Sequence, residues 1–303
     1  MIGVDWGSSG FRAYRLAADG AIRDRRSVAC GIADLQPGDH AALLQHDIGD
    51  WLQQDRDGPV LLCGMIGSRQ GWVEAPYLPC PVAPADLARH MTSVTLADRP
   101  ALIVPGLSCE RPDGSADVMR GEETQIFGLA ATLAGTAMLC MPGTHSKHVW
   151  LRDGRIERFA TAMTGEVFAL LSRHGLLAAM LRPAPAGTDM DAAAFVAGVA
   201  RSGRPGGLLQ HLFGIRADRL FDRLAAPAAA DLLSGLLIGH ELRGTDWGAA
   251  GSRGPVTIVA APDLARRYHM AYEALGIAAQ SGPEDAAARG LYRLGRLIRE
   301  DLA

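Results

Sequence analysis

Short apolar runs that end in glycine-rich turns make up most of the first half of the chain. Residues 2–4 predict a strand that stops at the turn formers of residues 5–10, and residues 11–16 predict a second strand. Asp19-Gly20 is a hairpin signal, so residues 21–28 are expected to return as a third strand.

The same order of elements recurs in the middle of the chain. A strand, a polar turn, an outgoing strand, an Asp-Gly pair and a return strand are predicted over residues 138–141, 142–146, 149–151, 153–154 and 156–159. One cation follows each turn, Arg12 in the first copy and Lys147 in the second. The pattern predicts an internal duplication and two similar domains. The alternative is coincidence, since two Asp-Gly hairpins are not rare in a chain with 36 glycines.

The remaining segments alternate between apolar runs, polar loops and helical periodicity. Strands are predicted over 59–63, 101–105 and 256–259, a polar stretch over 110–120, helices over 122–133 and 284–302, and breaks at 182–187 and 202–207. Asp263 is expected to cap a helix that carries Leu264, Tyr268, Tyr272 and Leu275 at helical spacing.

Composition excludes several classes of function. A net charge of −3 over 303 residues argues against a nucleic acid partner, and a mean hydropathy of +0.07 without long apolar runs argues against membrane spans. No secretory signal is visible, so a cytoplasmic location is expected. The five scattered cysteines fit reduced thiols, so a metal site built on sulfur is not expected. His145 and His148 are expected to be solvated or turn residues.

Common nucleotide motifs are absent, but two glycine turns could bind phosphate. Lys147 is the only lysine and is followed by His148, which excludes a Walker A motif, and no Gly-x-Gly occurs. At Asp5-x-Gly7 and at Gly143-Thr144, backbone N–H groups could converge on phosphate oxygens. A carboxylate at Asp5 would repel phosphate unless Mg²⁺ lies between them. The alternative is that Asp5 and Gly7 only form a turn.

Four stretches resemble the signatures of the 2-dehydro-3-deoxygalactonokinase family, within the actin/hexokinase/Hsp70-like ATPase superfamily. They are VDWGSS at 4–9, CGMIGSRQGW at 63–72, DVMRGEETQIFG at 117–128 and PGTHSK at 142–147. The resemblance implies an α/β fold of two ribonuclease H-like domains, each a mixed five-stranded sheet flanked by helices, with a cleft between them. Domain I would cover residues 1–133 and the C-terminal helix 284–303, and domain II residues 134–283.

The resemblance also implies ATP-dependent phosphorylation of the 6-hydroxyl of 2-dehydro-3-deoxy-D-galactonate. Asp5 would orient Mg²⁺. The nucleotide-binding residues implied are Gly7, Ser8, Ser9 and Arg12 near the γ-phosphate, Gly143, Thr144 and Lys147 from the second copy, and Gly235, Gly239 and Ala261 near the nucleoside. Three alternatives stay open: Lys147 as an outward strand residue, the two helical glycines as packing positions, and a lost adenine contact where Ala260-Ala261 replaces the expected glycine.

An anionic acceptor requires a carboxylate clamp, for which arginine is the natural bidentate partner. Arg69 and Arg120 are the candidates for that clamp, with Ser68, Gln70 and Trp72 as further substrate-binding residues. Glu122 and Asp117 are both candidates for the general base, and Trp72 could equally belong to the core. The expected partners are the sugar acid and ATP, and a homodimer stays open. The rival functions are a kinase of another acid or neutral sugar and, less favoured, a non-enzymatic sugar sensor.

Overall fold

The computed structural model describes residues 1–36, 38–130, 132–133, 135–181, 190–246 and 254–301. The break predicted at 182–187 therefore lies outside the described residues. Over the part that is described, none of the helices combines the length and apolar character that crossing a membrane requires.

Fourteen strands occur in the described residues. They are β1 Ile2–Trp6, β2 Phe11–Leu16, β3 Ile22–Val28, β4 Val60–Gly64, β5 Tyr77–Pro79, β6 Thr92–Leu96, β7 Arg99–Ile103, β8 Gly106–Glu110, β9 Ala116–Met119, β10 Thr136–Met141, β11 Ser146–Arg152, β12 Arg155–Ala162, β13 Val256–Ile258 and β14 Ala279–Ser281.

Ten α-helices occur in the same residues. They are α1 Asp39–Gln54, α2 Pro84–Arg89, α3 Glu122–Ala130, α4 Thr164–Arg173, α5 Gly175–Ala178, α6 Ala192–Ser202, α7 Gly207–Leu220, α8 Ala226–Gly244, α9 Pro262–Ala274 and α10 Ala286–Asp301.

Strand order is alike in the two larger sheets. The first sheet runs β3-β2-β1-β4-β7-β6 and the second β12-β11-β10-β13-β14. In each, three strands that are consecutive in the chain lie side by side, and the next strand pairs in parallel with the first of the three, β4 with β1 and β13 with β10. The strands predicted on both sides of the two Asp-Gly turns are thus confirmed. The mixed α/β fold class is confirmed as well.

The first sheet has six strands, whereas five were expected. The sixth, β6, is antiparallel to β7, and the turn between them is made by Ala97 and Asp98, both with positive φ (50° and 60°). A turn of this kind normally carries Asn-Gly or Asp-Gly, so its sequence gives no hairpin signal. The polar stretch predicted at 110–120 is also more ordered than expected, because β8 and β9 form an antiparallel pair within a three-stranded sheet.

The chain divides into two compact units. Unit 1 comprises Met1–Thr136, Val149–Phe159 and Pro283–Ala303, and unit 2 comprises Ala137–His148 and Ala160–Gly282. In unit 1 the amphipathic helix α1 buries Leu44, Ile48 and Trp51 at helical spacing against the six-stranded sheet. In unit 2 a separate core forms around Leu233 and Leu236 of α8.

Helix α10 lies against α3 at very short range within unit 1. A Cβ at Gly290 would come 1.8 Å from the carbonyl oxygen of Thr124, and one at Gly128 would come 2.1 Å from that of Ala286. The two backbones can therefore touch only because both positions are glycine. In unit 2, the helix expected to be capped by Asp263 has Ala261 as its N-cap, so that prediction was wrong; Asp263 lies in the first turn.

Candidate functional site

Asp5 lies near the carboxyl end of β1, where two loops leave the six-stranded sheet of unit 1. In the sheet it is opposite Arg12 of β2 on one side and Cys63 of β4 on the other. The turn after β1 is closed by the N–H of Gly7, which donates to the carbonyl oxygen of Gly10 at 2.9 Å. Ligands of open α/β sheets bind beyond the carboxyl ends of parallel strands, so this edge is the natural place for a site.

The Asp5 carboxyl is buried but has few partners. Its side chain lies 3.8 Å from the Arg12 guanidinium and accepts a weak hydrogen bond from the Cys63 thiol, with Sγ and Oδ1 3.9 Å apart. Burial raises the pKa of Asp5 to about 6, and the charge of Glu122 acts in the same direction, against Arg12. A buried carboxylate near a second one is stabilised by any cation that binds there.

Two adjacent carboxyls begin α3. The backbone N–H of Arg120 donates to Glu122 at 3.2 Å, and that of Gly121 donates to Glu123 at 2.6 Å. Glu123 is fully buried and accepts a further bond from the hydroxyl of Thr124. Burial, and then the neighbouring Glu122, raise the pKa of Glu123 to about 8. Glu123 is thus a neutral acid at pH 7, whereas Glu122 is less buried.

Two glycines explain how these segments approach each other. Gly64, at the end of β4, has φ of +91°, and a Cβ there would lie 2.5 Å from the carbonyl oxygen of Trp6. A Cβ at Gly121, with φ of +106°, would lie 3.0 Å from the Cα of Gly64. Backbone contact between β1, β4 and the start of α3 places Glu122 close enough to Asp5 to affect its pKa.

The other candidate base, Asp117, is already engaged. Its Oδ2 accepts from both Nε and Nη2 of Arg111, at 2.9 and 2.6 Å, and its Oδ1 accepts from the N–H of Val118. Both oxygens of Asp117 are therefore engaged in hydrogen bonds. Which of Asp117 and Glu122 is the base stays a prediction.

Arg120 is buried beneath the loop that follows β4. Its guanidinium stacks on the Tyr77 ring, 4.2 Å from the centroid, and Nη2 donates to the carbonyl oxygen of Ala75 at 2.7 Å. Nη1 has no hydrogen-bond partner, nor does the buried hydroxyl of Ser68. Gly67, which precedes Ser68 in the chain, lies directly against Nη1, because a Cβ at that position would be 3.0 Å away. A buried donor without an acceptor lowers the stability of the fold, and a ligand that accepts its hydrogen bond removes that cost.

The other predicted residues of this loop are placed differently. Arg69 is 87% exposed and pairs with Glu74 at 3.4 Å, and Gln70 is also exposed. Trp72 is half-buried against the core and stacks in parallel on His40, with ring centroids 6.4 Å apart. The structure therefore buries Ser68 and Arg120 and leaves Arg69 and Gln70 in solvent.

In unit 2 the hairpin between β10 and β11 borders a cavity of about 160 Å³. The cavity is lined mainly by apolar groups of α4, α8 and α9, together with Gly143. A Cβ at Gly165 would lie 2.3 Å from the carbonyl oxygen of Gly143, and the N–H of Glu166 donates to the carbonyl oxygen of Thr144 at 2.9 Å. The start of α4 thus holds the predicted phosphate hairpin directly.

The polar groups that line this cavity come mainly from helices. Thr164 of α4, Ser234 of α8, and Arg267 and Tyr268 of α9 contribute them. Arg267 is held by an ion pair with Asp231 at 2.8 Å. An apolar cavity with a few fixed polar groups is typical of a small-molecule site.

Three predicted nucleotide residues of unit 2 are buried or packed between helices. Lys147 is buried, not outward, and its Nζ donates to the carbonyl oxygen of His145 at 3.2 Å. Gly235 and Gly239 lie in the contact between α8 and α6, where a Cβ would come 1.9 Å from the carbonyl oxygen of Phe195 and 2.4 Å from Oγ of Ser202. Both glycines therefore allow α8 and α6 to pack closely, the alternative left open above, and their role as nucleotide contacts stays a prediction.

Ala261 is exposed at the residue before α9 and is not among the residues that line the cavity. Its predicted contact with the nucleoside stays a prediction. In unit 1, Ser8 and Ser9 are exposed on the turn after β1, and Gly31 closes on that turn, since a Cβ there would lie 1.7 Å from the carbonyl oxygen of Ser8.

His148 is not the solvated residue that the sequence predicted. It is buried in β11, and its Nε2 lies 2.8 Å from a carboxylate oxygen of Glu241 in α8. Burial alone would lower the pKa of His148, but Cys140 and Glu241 outweigh it and raise the pKa to about 10. His145, in contrast, is half exposed and pairs with Glu166.

Sequence reasoning missed several groups that belong to these sites. Glu123 was overlooked in favour of its neighbour, although it follows Gly121 at the same helix start. Tyr77 and the carbonyl of Ala75, which hold Arg120, carried no signal in the sequence. The apolar residues that line the unit 2 cavity, such as Phe168 and Leu237, could only be interpreted as core residues.

Comparison with known proteins gives consistent results. The family model described as 2-keto-3-deoxy-galactonokinase matches residues 5–294. A protein of Rhizobium meliloti (strain 1021) named "Probable 2-dehydro-3-deoxygalactonokinase DgoK1" is 40% identical over 97% of this chain and 96% of its own length. The 2-dehydro-3-deoxygalactonokinase of Escherichia coli (strain K12) is 38% identical over 91% of this chain and 90% of its own length.

Solved structures agree with this. The crystal structure of a Sinorhizobium meliloti protein described as a 2-dehydro-3-deoxygalactonokinase is 38% identical, covers 98% of both chains and has a TM-score of 0.84. The activator of the 2-hydroxyisocaproyl-CoA dehydratase from Clostridium difficile, solved with ADPNP bound, is 11% identical with a TM-score of 0.55 over 100% of this chain and 96% of its own. That second likeness concerns the fold alone. The chain belongs to the 2-keto-3-deoxy-galactonokinase family.

Proposed function

We propose that this chain is a cytoplasmic phosphotransferase that moves the γ-phosphoryl group of ATP to the 6-hydroxyl of 2-dehydro-3-deoxy-D-galactonate. Family membership supports the reaction. The observation that carries the acceptor assignment is the pair of buried donors without partners in unit 1, Nη1 of Arg120 and Oγ of Ser68. A fixed guanidinium with a spare N–H suits a carboxylate, and a neutral sugar would leave it unsatisfied.

Glu122 is the general base in this proposal. It would accept the proton of the C6 hydroxyl while the hydroxyl oxygen forms its bond to the γ-phosphorus and ADP leaves with the electrons of the broken P–O bond. Glu123, buried and neutral at pH 7, adds no charge beside Glu122 and is fixed by the N–H of Gly121. Positioning accounts for most of the catalysis of phosphoryl transfer.

The residues near Asp5 fit a hydrated Mg²⁺. Asp5 offers a hard oxygen ligand, and the proximity of Glu122 makes a cation favourable there. When bound with ATP, Mg²⁺ neutralises charge on the phosphates. Gly7, Ser8, Ser9 and Arg12 of the same unit would bind the γ-phosphate by N–H, hydroxyl and guanidinium groups.

Unit 2 provides the nucleotide-binding groups of the proposal. Gly143 and Thr144 would bind the β-phosphate by their backbone N–H groups, with Lys147 as the nearby cation. The adjoining cavity, lined by Phe168, Leu237 and other apolar groups, would hold the adenosine.

Release of ADP tests the assignment. The chain would be assayed with Mg²⁺ and ATP against 2-dehydro-3-deoxygalactonate, its gluconate epimer, galactose and glycerol, with Glu122→Gln as the control for contaminating kinases. We expect a strong preference for the first acid, lost in the variant. Turnover confined to a neutral sugar would refute the carboxylate clamp while keeping the kinase, and no ADP release with any acceptor would refute the kinase.

A further inference from the structure

Three side chains able to bind a metal meet inside unit 2. Cys140 comes from β10, His148 from the neighbouring strand β11, and Glu241 from α8. Their ligand atoms all lie within 4.8 Å of one another. Cys140 and His148 are buried, and the Glu241 side chain is 1% exposed.

The distances suit a small divalent ion. Zinc binds Cys sulfur at about 2.3 Å and His nitrogen or carboxylate oxygen at about 2.0–2.2 Å, so tetrahedral ligands are roughly 3.3–3.6 Å apart. The His148 nitrogen and the Glu241 oxygen, now 2.8 Å apart, would need to separate by about 0.5 Å. The remaining pairs, which lie within 4.8 Å, would close by about 1.5 Å at most, which side-chain rotation can supply.

The second oxygen of Glu241 is held by an outer layer of hydrogen bonds. The hydroxyl of Tyr268 donates to Oε2 at 2.7 Å, and that hydroxyl is itself 2.8 Å from Oγ of Ser146. Carboxylates that ligate metals are commonly oriented by such bonds. The Glu241 oxygen nearest His148 is thereby fixed toward the cluster.

The charges of the bound state balance. Once the cysteine is bound as thiolate, it and the glutamate carboxylate carry two negative charges in a buried volume, and one divalent ion cancels both without a further group. Thiolate, imidazole and carboxylate together form a ligand set of the zinc type, and they exclude Mg²⁺ and Ca²⁺, which prefer all-oxygen sites.

We propose that Cys140, His148 and Glu241 bind one divalent transition-metal ion, with Zn²⁺ as the natural occupant. Binding releases the thiol proton of Cys140 and the imidazolium proton of His148 to solvent, and a small ligand such as water completes the coordination. The ion joins the two strands that flank the 142–145 turn to α8, so its role is structural: it fixes the base of that hairpin. The proposal is independent of the acceptor assignment.

Metal content and cobalt spectroscopy test this site. The full chain, purified without chelators and dialysed against excess Zn²⁺, is expected to retain one zinc per chain by mass spectrometry of the element. Replacement by Co²⁺ should give a thiolate-to-cobalt charge-transfer band. Cys140→Ser should lose both signals, whereas Cys109→Ser, which changes a half-buried cysteine of unit 1, should keep them. Tyr268→Phe should weaken metal affinity about 10- to 100-fold.

The outcomes separate clearly. Absence of stoichiometric metal after reconstitution, with no rise in melting temperature on adding Zn²⁺ or Co²⁺, would show that the three groups are only a hydrogen-bonded ion pair and would overturn the proposal. Metal retained by Cys140→Ser would place the ion elsewhere and would also overturn it. If Cys140→Ser fails to fold, the cobalt band and X-ray absorption of the unmodified protein decide, since one sulfur ligand is expected.

Discussion

Replacing Arg120 should impair the use of the sugar acid far more than it impairs folding. In the free protein the guanidinium makes one good hydrogen bond, from Nη2 to the carbonyl oxygen of Ala75, and stacks on Tyr77. Its Nη1 is buried without a partner. Arg120→Ala therefore removes stabilising contacts and an unsatisfied donor at the same time.

The magnitudes can be worked out separately for stability and for binding. Loss of a hydrogen bond from a charged group costs about 1.5–3 kcal/mol and loss of the cation–π contact about 0.5–1 kcal/mol, whereas relief of an unsatisfied buried donor returns about 1–3 kcal/mol. The free energy of unfolding should thus fall by no more than about 3 kcal/mol. In the complex, loss of a charge-assisted bond to the substrate carboxylate should lower kcat/KM for the acid by about 10- to 150-fold.

Steady-state kinetics with the acid and with ATP varied in turn check this reasoning. Arg120→Ala should raise the KM for the acid and leave the KM for ATP near its original value. Arg120→Lys keeps the charge but loses the planar fork, so it should recover only part of the loss. Arg69→Ala is the matched control, because the Arg69 side chain is 87% exposed and its removal should change kcat/KM by less than about twofold.

Two results would refute the argument. If Arg69→Ala raised the KM for the acid as much as Arg120→Ala did, the exposed arginine would be the clamp, and the unpaired donor would have no bearing on binding. If Arg120→Ala lowered kcat/KM only in proportion to a loss of folded protein, measured by urea unfolding of the same preparation, Arg120 would be a structural residue.

Three further predictions follow from the carboxyl groups and the hairpin. Glu122→Gln should lower kcat about 10²- to 10⁴-fold with little change in either KM, whereas Asp117→Asn, tied to an arginine, should mainly lower the melting temperature. Glu123 has its pKa raised to about 8 from 4.5, so its stabilisation is complete below about pH 4.5 and is lost as pH rises through 8; Glu123→Gln should remove that dependence from urea unfolding curves. Gly165→Ala, whose Cβ would meet a carbonyl oxygen of the hairpin at 2.3 Å, should raise the KM for ATP, and Gly244→Ala, with open space, should not.

Local patterns were enough to predict the strands that flank the two Asp-Gly turns. Residues 11–16 form β2 with the bounds expected, and residues 21–28 form β3 from residue 22 onward. Such strands are specified by alternation and by a turn whose residues favour positive φ, and both signals lie within a few positions of each other.

The hairpin of β8 and β9 was not predicted from the local sequence. Its turn contains Asp113 and Gly114, the same pair that marks the other hairpins, and Gly114 has φ of +81°. The signal was present, but the surrounding residues are polar, and β9 alternates exposed and buried positions over only four residues. A strand this short in a small sheet has too little apolar content to be separated from a loop.

The sequence predicted the motifs of the candidate site, but it did not predict which residue of each motif is available to a ligand. Nothing in the sequence distinguishes Arg69 from Arg120, because the burial of Arg120 depends on Tyr77 and Ala75, which lie more than 40 positions earlier in the chain. Likewise, Glu122 and Asp117 differ only through Arg111, whose side chain reaches Asp117 across the β8–β9 turn. Charge and hydrogen bonding from distant segments decide which members of a motif are available to a ligand.

The cluster of Cys140, His148 and Glu241 also depends on contacts between segments that are distant in the sequence. Spacing rules for metal sites detect ligands that share a loop or a helix turn, and Cys140 and His148 are eight positions apart on two strands while Glu241 lies 93 positions beyond His148. They meet because β10 and β11 are neighbours in the sheet and α8 packs with its Glu241 side chain inward. A buried glutamate has to be compensated by partners, and His148 and the hydroxyl of Tyr268 compensate Glu241. The thiol of Cys140 beside this pair is what completes a set of metal ligands, and no spacing in the sequence indicates it.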